Sequence, residues 1–152
     1  MFRKGLCALF LCFAVVVLAG ICQAATITGI GGMCLDVTGG GSKDGTKVEI
    51  WPCNGQANQD WGLTAKGEIR GIGGKCLDVT GGGSTPGTPV EIWTCNGGAN
   101  QQWKFANGLI IGIDGRCLDV QGGGSAKGTP VIIWECHGAA NQQWHLGPQQ
   151  ID

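Results

Sequence analysis

"CLDVTGGGSKDGTKVEIWPCNGQANQDW", residues 34–61, returns as "CLDVTGGGSTPGTPVEIWTCNGGANQQW" from Cys76 and as "CLDVQGGGSAKGTPVIIWECHGAANQQW" from Cys117. In every copy the Cys of CLDV lies 17 residues before the Trp of the IW pair, and 10 more residues reach the closing Trp. Between copies the spacing slips by one, from 15 residues (Trp61 to Cys76) to 14 (Trp103 to Cys117). Constant spacing inside and slack at the joints make each copy one structural module. The repeats run over about 27–66, 67–107 and 108–147.

Each module reads as β structure. "ITGIGGMCLDV", "IRGIGGKCLDV" and "IIGIDGRCLDV" set Gly31-Gly32, Gly73-Gly74 and Asp114-Gly115 between apolar residues, a two-residue hairpin signal. The GGGS runs look like flexible linkers, yet they fall inside the module, between a strand ending at Val37 and another starting near Val48, and so read as loops. No window carries a convincing helical period, and ANQxW fits a strand or a short helical turn. Side chains at i and i+2 share one face of a strand. Leu35 and Val37 therefore point one way, with Cys34 and Asp36 opposite; Val48 and Ile50 face the core, whereas Glu49, Trp51 and Cys53 face outward.

The start of the chain places it in an export pathway. "MFRK" is short and basic, "LCALFLCFAVVVLAG" is apolar, and "ICQAA" offers small residues for cleavage near Ala24, so residues 1–24 read as a signal peptide. The apolar run is shorter than the roughly 20 residues a membrane span needs. Ile21 before Cys22 argues against a lipoprotein anchor, and no membrane insertion is expected. Cleavage after Ala24 leaves 128 residues, one domain, secreted to the outside of the cell or the periplasm. Its 8 basic and 11 acidic side chains give −3, with no basic cluster, which argues against nucleic acid as a partner. Six of the nine cysteines remain, in a compartment where disulfides persist. Cys34–Cys53, Cys76–Cys95 and Cys117–Cys136 is the pairing that treats all three modules alike. Zinc is the alternative, but CxxC spacing is absent; neither a metal nor another cofactor is expected.

If Cys34 bonds Cys53, the face carrying Asp36 is tied to the face carrying Glu49 and Trp51. The second module repeats the patch with Asp78, Glu91 and Trp93; the third has Asp119 and Trp134, with Ile132 in place of the glutamate. An indole beside a fixed carboxylate suits a sugar: the ring covers the apolar C–H face of a pyranose, and Asp or Asn takes hydrogen bonds from hydroxyls. Trp51, Trp93 and Trp134 alternatively fill the core, the reading favoured for the closing Trp61, Trp103 and Trp144. Asn58, Asn100 and Asn141 either cap a turn or meet ligand.

Three modules with CLDV, an IW followed at plus two by Cys, and a terminal Q-x-W resemble the ricin B-type lectin domain, also known as a carbohydrate-binding module attached to many xylanases. The resemblance covers about Ile27 to Leu146. It implies an all-β fold, a β-trefoil of about twelve strands in three pseudo-equivalent lobes. It also implies one pocket per lobe for galactose-type or xylose-type units of glycans or polysaccharides. The family's pocket Asp falls on Asp36, Asp78 and Asp119, its stacking aromatic on Trp51, Trp93 and Trp134, and its Asn on Asn58, Asn100 and Asn141. The adjacent Gln59, Gln101 and Gln142 brace the pocket. Asn54, Asn96 and His137, after the second cysteine, are contacts in some members. Glu49 and Glu91 stand where the family commonly has Gln, which adds a negative charge to two pockets and favours neutral over acidic sugars.

Two other readings compete. A glycosidase would pair Asp36 with Glu49 or Asp78 with Glu91, but such a pair needs two environments that push the acidities apart, and near-identical repeats supply the same surroundings. His137 and His145 have no repeated partners, so no catalytic residue is expected. A purely protein-binding trefoil has no evident use for three copies of one small polar pocket, whereas the resemblance is compatible with the cell-binding subunit of a toxin whose catalytic chain is a separate partner. A monomer is expected because each lobe closes on its siblings.

Overall fold

The computed structural model describes residues 24–148, so the signal peptide read over residues 1–24 lies outside the described residues except for Ala24. Among the described residues twelve strands follow one another, separated by loops and single 3-10 turns. The first lobe holds β1 (Ala24–Thr28), β2 (Cys34–Val37), β3 (Thr46–Trp51) and β4 (Trp61–Leu63). The second holds β5 (Ile69–Arg70), β6 (Cys76–Val79), β7 (Val90–Trp93) and β8 (Lys104–Ala106). The third holds β9 (Leu109–Ile111), β10 (Cys117–Val120), β11 (Val131–Trp134) and β12 (His145–Pro148).

The first and last strand of each lobe form a closed ring. Within the first lobe Ala25 pairs with Trp61; the equivalent links are Trp103 N–H to Gly67 O and Trp144 N–H to Gly108 O, both 2.8 Å. Between lobes, β12 pairs with β1, β4 with β5 and β8 with β9, all antiparallel. Closure removes the open edges that would otherwise invite strand addition. The hairpins β2–β3, β6–β7 and β10–β11 cap one end of this ring, joined to one another through Thr46↔Ile92, Glu49↔Pro130 and Pro89↔Ile132. This is a β-trefoil.

Six apolar positions per lobe fill the centre. Ile27, Leu35, Val37, Val48, Ile50 and Trp61 are matched by Ile69, Leu77, Val79, Val90, Ile92 and Trp103, and by Ile110, Leu118, Val120, Val131, Ile133 and Trp144. Each large side chain contributes about 1.5–3 kcal/mol by leaving water. The closing tryptophans bury their indole N–H groups without cost, since Trp61, Trp103 and Trp144 donate to the carbonyls of Leu35, Leu77 and Leu118 at 2.9–3.0 Å. The lobes interlock cyclically: Gly71 lies on Trp61, Gly112 on Trp103 and Gly29 on Trp144, so closely that a Cβ there would sit 2.6–2.7 Å from the indole.

The disulfides are Cys34–Cys53, Cys76–Cys95 and Cys117–Cys136, as the repeats require. Two sequence expectations need correction. The turns after β1, β5 and β9 hold three residues, Ile30–Gly32, Ile72–Gly74 and Ile113–Gly115, because the last two of each take positive φ and tighten the turn into a 3-10 form. And Cys34 and Asp36 are as buried as Leu35 and Val37, because the Ala57–Gln59 turn and the disulfide cover the second face of the hairpin. ANQ is thus a 3-10 turn, with the strand beginning only at Trp61.

Candidate functional site

Asp36 sits mid-strand on β2, opposite Glu49, and 3% exposed. Its Oδ2 accepts from Asn58 Nδ2 at 3.0 Å and from Gln59 Nε2 at 2.7 Å. The second lobe repeats this on Asp78 with Asn100 and Gln101 at 3.0 and 2.8 Å. In the third lobe Gln142 reaches Asp119 Oδ2 at 2.8 Å, whereas Asn141 moves to Oδ1 at 3.1 Å. Burial pushes all three carboxyls above the ordinary aspartate range, with the amide bonds pulling partly back.

Counting donors and acceptors divides the residues into candidate ligand groups, which keep a free acceptor, and braces, which are fully occupied. Gln59 is spent: Nε2 also donates to Pro52 O, and Oε1 accepts from Asn54 N–H. Gln101 and Gln142 do the same work with Thr94 and Glu135 carbonyls and the Asn96 and His137 amides. Asn58 gives its two N–H donors to Asp36 and Val37 O, which leaves its Oδ1 as an acceptor. In the first two lobes each pocket therefore offers two adjacent acceptors, Asp Oδ1 and Asn Oδ1, suited to two neighbouring hydroxyl donors. Asn54 and Asn96 are occupied locally, closing turns onto the Gln56 and Gly98 amides. His137 copies them, Nδ1 accepting from Ala139 N–H, and this sets its Nε2 3.5 Å from Asp119 Oδ2.

The aromatics lie outside the core. Trp93 and Trp134 are each 42% exposed, while Trp51 is half-buried. In the third lobe Asp119, Ile132, Trp134, His137 and Asn141 line one open cleft of about 370 Å³ together with Gly87 of the second lobe.

Gly87 shows what the sequence did not. The loop between the second and third strands of each lobe lies on the pocket of the following lobe. Gly45 N–H donates to Ile92 O, Gly87 N–H to Ile133 O and Gly128 N–H to Ile50 O, at 2.7–2.9 Å, and a Cβ on any of these glycines would stand 3.5–3.7 Å from Trp93, Trp134 or Trp51. Thr46, Thr88 and Thr129 brace each loop by donating to the carbonyl three residues back. The repeated Gly-Thr pair was the available signal. These loops differ at the residue before the glycine: Asp44, Pro86 and Lys127.

Contact between lobes also changes the charge expected of one of the two glutamate-bearing pockets. Lys47 reaches Glu91 at 2.6 Å and Thr80 Oγ1 at 3.0 Å, so the second pocket's glutamate, 5% exposed, is neutralised by the first lobe. Pro130 occupies the corresponding place beside Glu49, which has no ion-pair partner among the described residues. Burial first and the Asp36 charge second raise the Glu49 carboxyl. The added negative charge thus belongs to the first pocket alone. Glu68, Cys76 and Cys95 converge in a cluster of metal-ligand type, but both sulfurs are in one disulfide and offer no thiolate.

Residues 23–144 match the family described as "Ricin-type beta-trefoil lectin domain". The designed threefold-symmetric protein ThreeFoil is similar at 30% identity, over 81% of this chain and 96% of its own, with TM-score 0.76. A non-toxic homologue of type II RIPs from Momordica charantia, solved with α-methyl-D-galactoside, is 28% identical over 83% of this chain, with TM-score 0.71. The ribosome-inactivating protein PMRIPt of Polygonatum multiflorum is 39% identical over 41 residues, 27% of this chain. The matched part spans 48% of the Momordica chain and 7% of PMRIPt.

Proposed function

The chain belongs to the ricin-type β-trefoil lectin family, and from that premise we propose that it is a secreted carbohydrate-binding protein that holds galactose- or xylose-type units of glycans or polysaccharides without catalysis. One observation carries the reading: a buried aspartate, oriented by an asparagine and a glutamine whose donors are used up, stands in three copies beside a tryptophan that lies outside the core, exposed at Trp93 and Trp134 and half-buried at Trp51. In the first two lobes the two free acceptors take vicinal hydroxyls, and the indole takes the C–H face. The galactoside bound to the Momordica homologue supports the first sugar class. Each pocket is weak alone, and engagement of a second pocket by the same glycan raises avidity by ~10² or more.

Hydrolysis finds no support in the pocket geometry. Asp36 and Glu49 face each other across the hairpin and are both raised by the same burial, Glu91 is tied to Lys47, and Ile132 leaves the third lobe without a second carboxyl. A glycosidase needs a pair whose acidities diverge. The similarity to PMRIPt favours a second reading, the cell-binding part of a toxin whose catalytic chain is separate.

A glycan array tests the proposal with the disulfide-intact protein beside a variant carrying Trp51→Ala, Trp93→Ala and Trp134→Ala, side chains that lie outside the core cluster and leave the pocket amides bonded. Binding of galactose- or xylose-terminated glycans by the parent and its loss in the variant is the expected result. Equal binding by both, or by neither while both melt cooperatively, overturns it.

A further inference from the structure

The three stacking tryptophans have the same sequence context but not the same surroundings. At the second pocket the loop tip Asp44 turns away from Trp93, bonding Thr94 N–H at 2.9 Å, Thr94 Oγ1 at 2.8 Å and Lys75 Nζ at 2.7 Å. At the third pocket the tip is Pro86, with no long side chain to lay across Trp134. At the first pocket the tip is Lys127, and its Nζ lies over the Trp51 ring, 5.3 Å from the centroid. Exposure follows the same division, since Trp93 and Trp134 are open and Trp51 is half-covered. Glu49, without an ion pair, adds negative charge on the same side: its Oε2 lies 3.7 Å from where a Gly128 Cβ would stand, next to Lys127 in the chain.

A pyranose that stacks on an indole must bring its carbons to about 3.5–4 Å from the ring, the van der Waals optimum. An ammonium held over the same face occupies that volume. We propose that Lys127, delivered from the third lobe, is a specificity-determining lid on the first-lobe pocket, competing with a neutral sugar for the face of Trp51. The proposal rests on the stacking role given above to Trp51, Trp93 and Trp134. It makes three near-identical pockets unequal: the second and third bind neutral sugars directly, and the first binds them only after the ammonium leaves. An exposed cation–π contact lowers affinity there by about two- to five-fold.

The test follows each pocket by its own indole. In protein labelled with ¹⁵N at tryptophan, the Trp51, Trp93 and Trp134 indole N–H signals are assigned by single Trp→Phe changes and titrated with methyl α-D-galactoside, then with xylobiose. Half-saturation at Trp51 is expected at higher sugar concentration than at the other two. Lys127→Ala and Lys127→Ser each lower it about two- to five-fold and leave Trp93 and Trp134 unchanged. Unaltered half-saturation at Trp51 in both variants overturns the lid. A sugar-free comparison separates the two ideas: Lys127→Ala must shift the Trp51 indole alone, and an unmoved signal overturns the lid. A Trp51 signal that does move, with no response to either sugar in any pocket, overturns the carbohydrate reading instead.

Discussion

Gln101 is the side chain whose replacement most directly tests the division into braces and ligand groups. It is fully buried and makes three hydrogen bonds: Nε2 to Asp78 Oδ2 at 2.8 Å and to Thr94 O at 3.1 Å, and Oε1 from Asn96 N–H at 2.8 Å. Gln101→Leu keeps the volume and removes all three. The bond to the carboxylate is worth about 1.5–3 kcal/mol and each neutral bond about 0.5–1.5 kcal/mol. Water replaces much of the neutral pair, because Thr94 and Asn96 are exposed. A net loss of about 2–4 kcal/mol follows, or a melting point lower by roughly 8–16 °C at about 4 °C per kcal/mol for a domain of this size. Urea and thermal unfolding with the disulfides intact measure it, with Gln102→Leu, a half-buried neighbour that makes none of these bonds, as control. Burial raises the Asp78 carboxyl and the Gln101 bond opposes that rise, so the variant's carboxyl moves further up. Sugar response at Trp93 then fades at higher pH than in the parent. A variant within about 0.5 kcal/mol of the parent, the scatter of an ordinary surface substitution, with an unshifted pH profile at Trp93, would refute the bracing role.

Gly71→Ala introduces a Cβ 2.6 Å from the Trp61 indole and is expected to destabilise by about 1–3 kcal/mol through overpacking, whereas Gly74→Ala, with open space around it, acts only through its positive φ. Paired melting curves of the two variants with circular dichroism at the tryptophan bands check whether the damage in Gly71→Ala reaches the Trp61 environment. Asp36, Glu49, Asp60, Asp78 and Asp119 all have raised carboxyls, burial being the first cause in each. The folded state therefore holds these protons more tightly than the unfolded chain, and the associated stability is fully present below the unfolded values near pH 4 and lost as pH rises through the raised folded values. Asp60, whose Oδ1 is buried without a hydrogen-bond partner, isolates one share of this: Asp60→Asn flattens the decline of stability between pH 4 and 7, as urea titrations across that range will show. A variant with the parent's slope refutes that assignment.

Much of the fold is local in origin and is legible in the sequence. A 17-plus-10 spacing repeated three times counts the lobes and assigns the disulfides, because each depends on contacts inside one module, and Trp61, Trp103 and Trp144 read as core residues because each closes a module and bonds a carbonyl of its own lobe. The contact of Asp36, Asp78 and Asp119 with Asn58, Asn100 and Asn141 is legible for the same reason. Strand alternation missed the burial of Asp36, since the 3-10 turn that covers it returns from 22 residues along the chain.

What only the tertiary structure decided lies between the lobes. In a sequence of equivalent repeats, nothing states which neighbour a loop will meet; closing the ring makes that choice, and it sets Gly45, Gly87 and Gly128 on the pockets of the following lobes. The same closure brings Lys47 to Glu91, leaves Glu49 beside Pro130 and lays Lys127 over Trp51, so that three copies of one motif become three chemically different pockets.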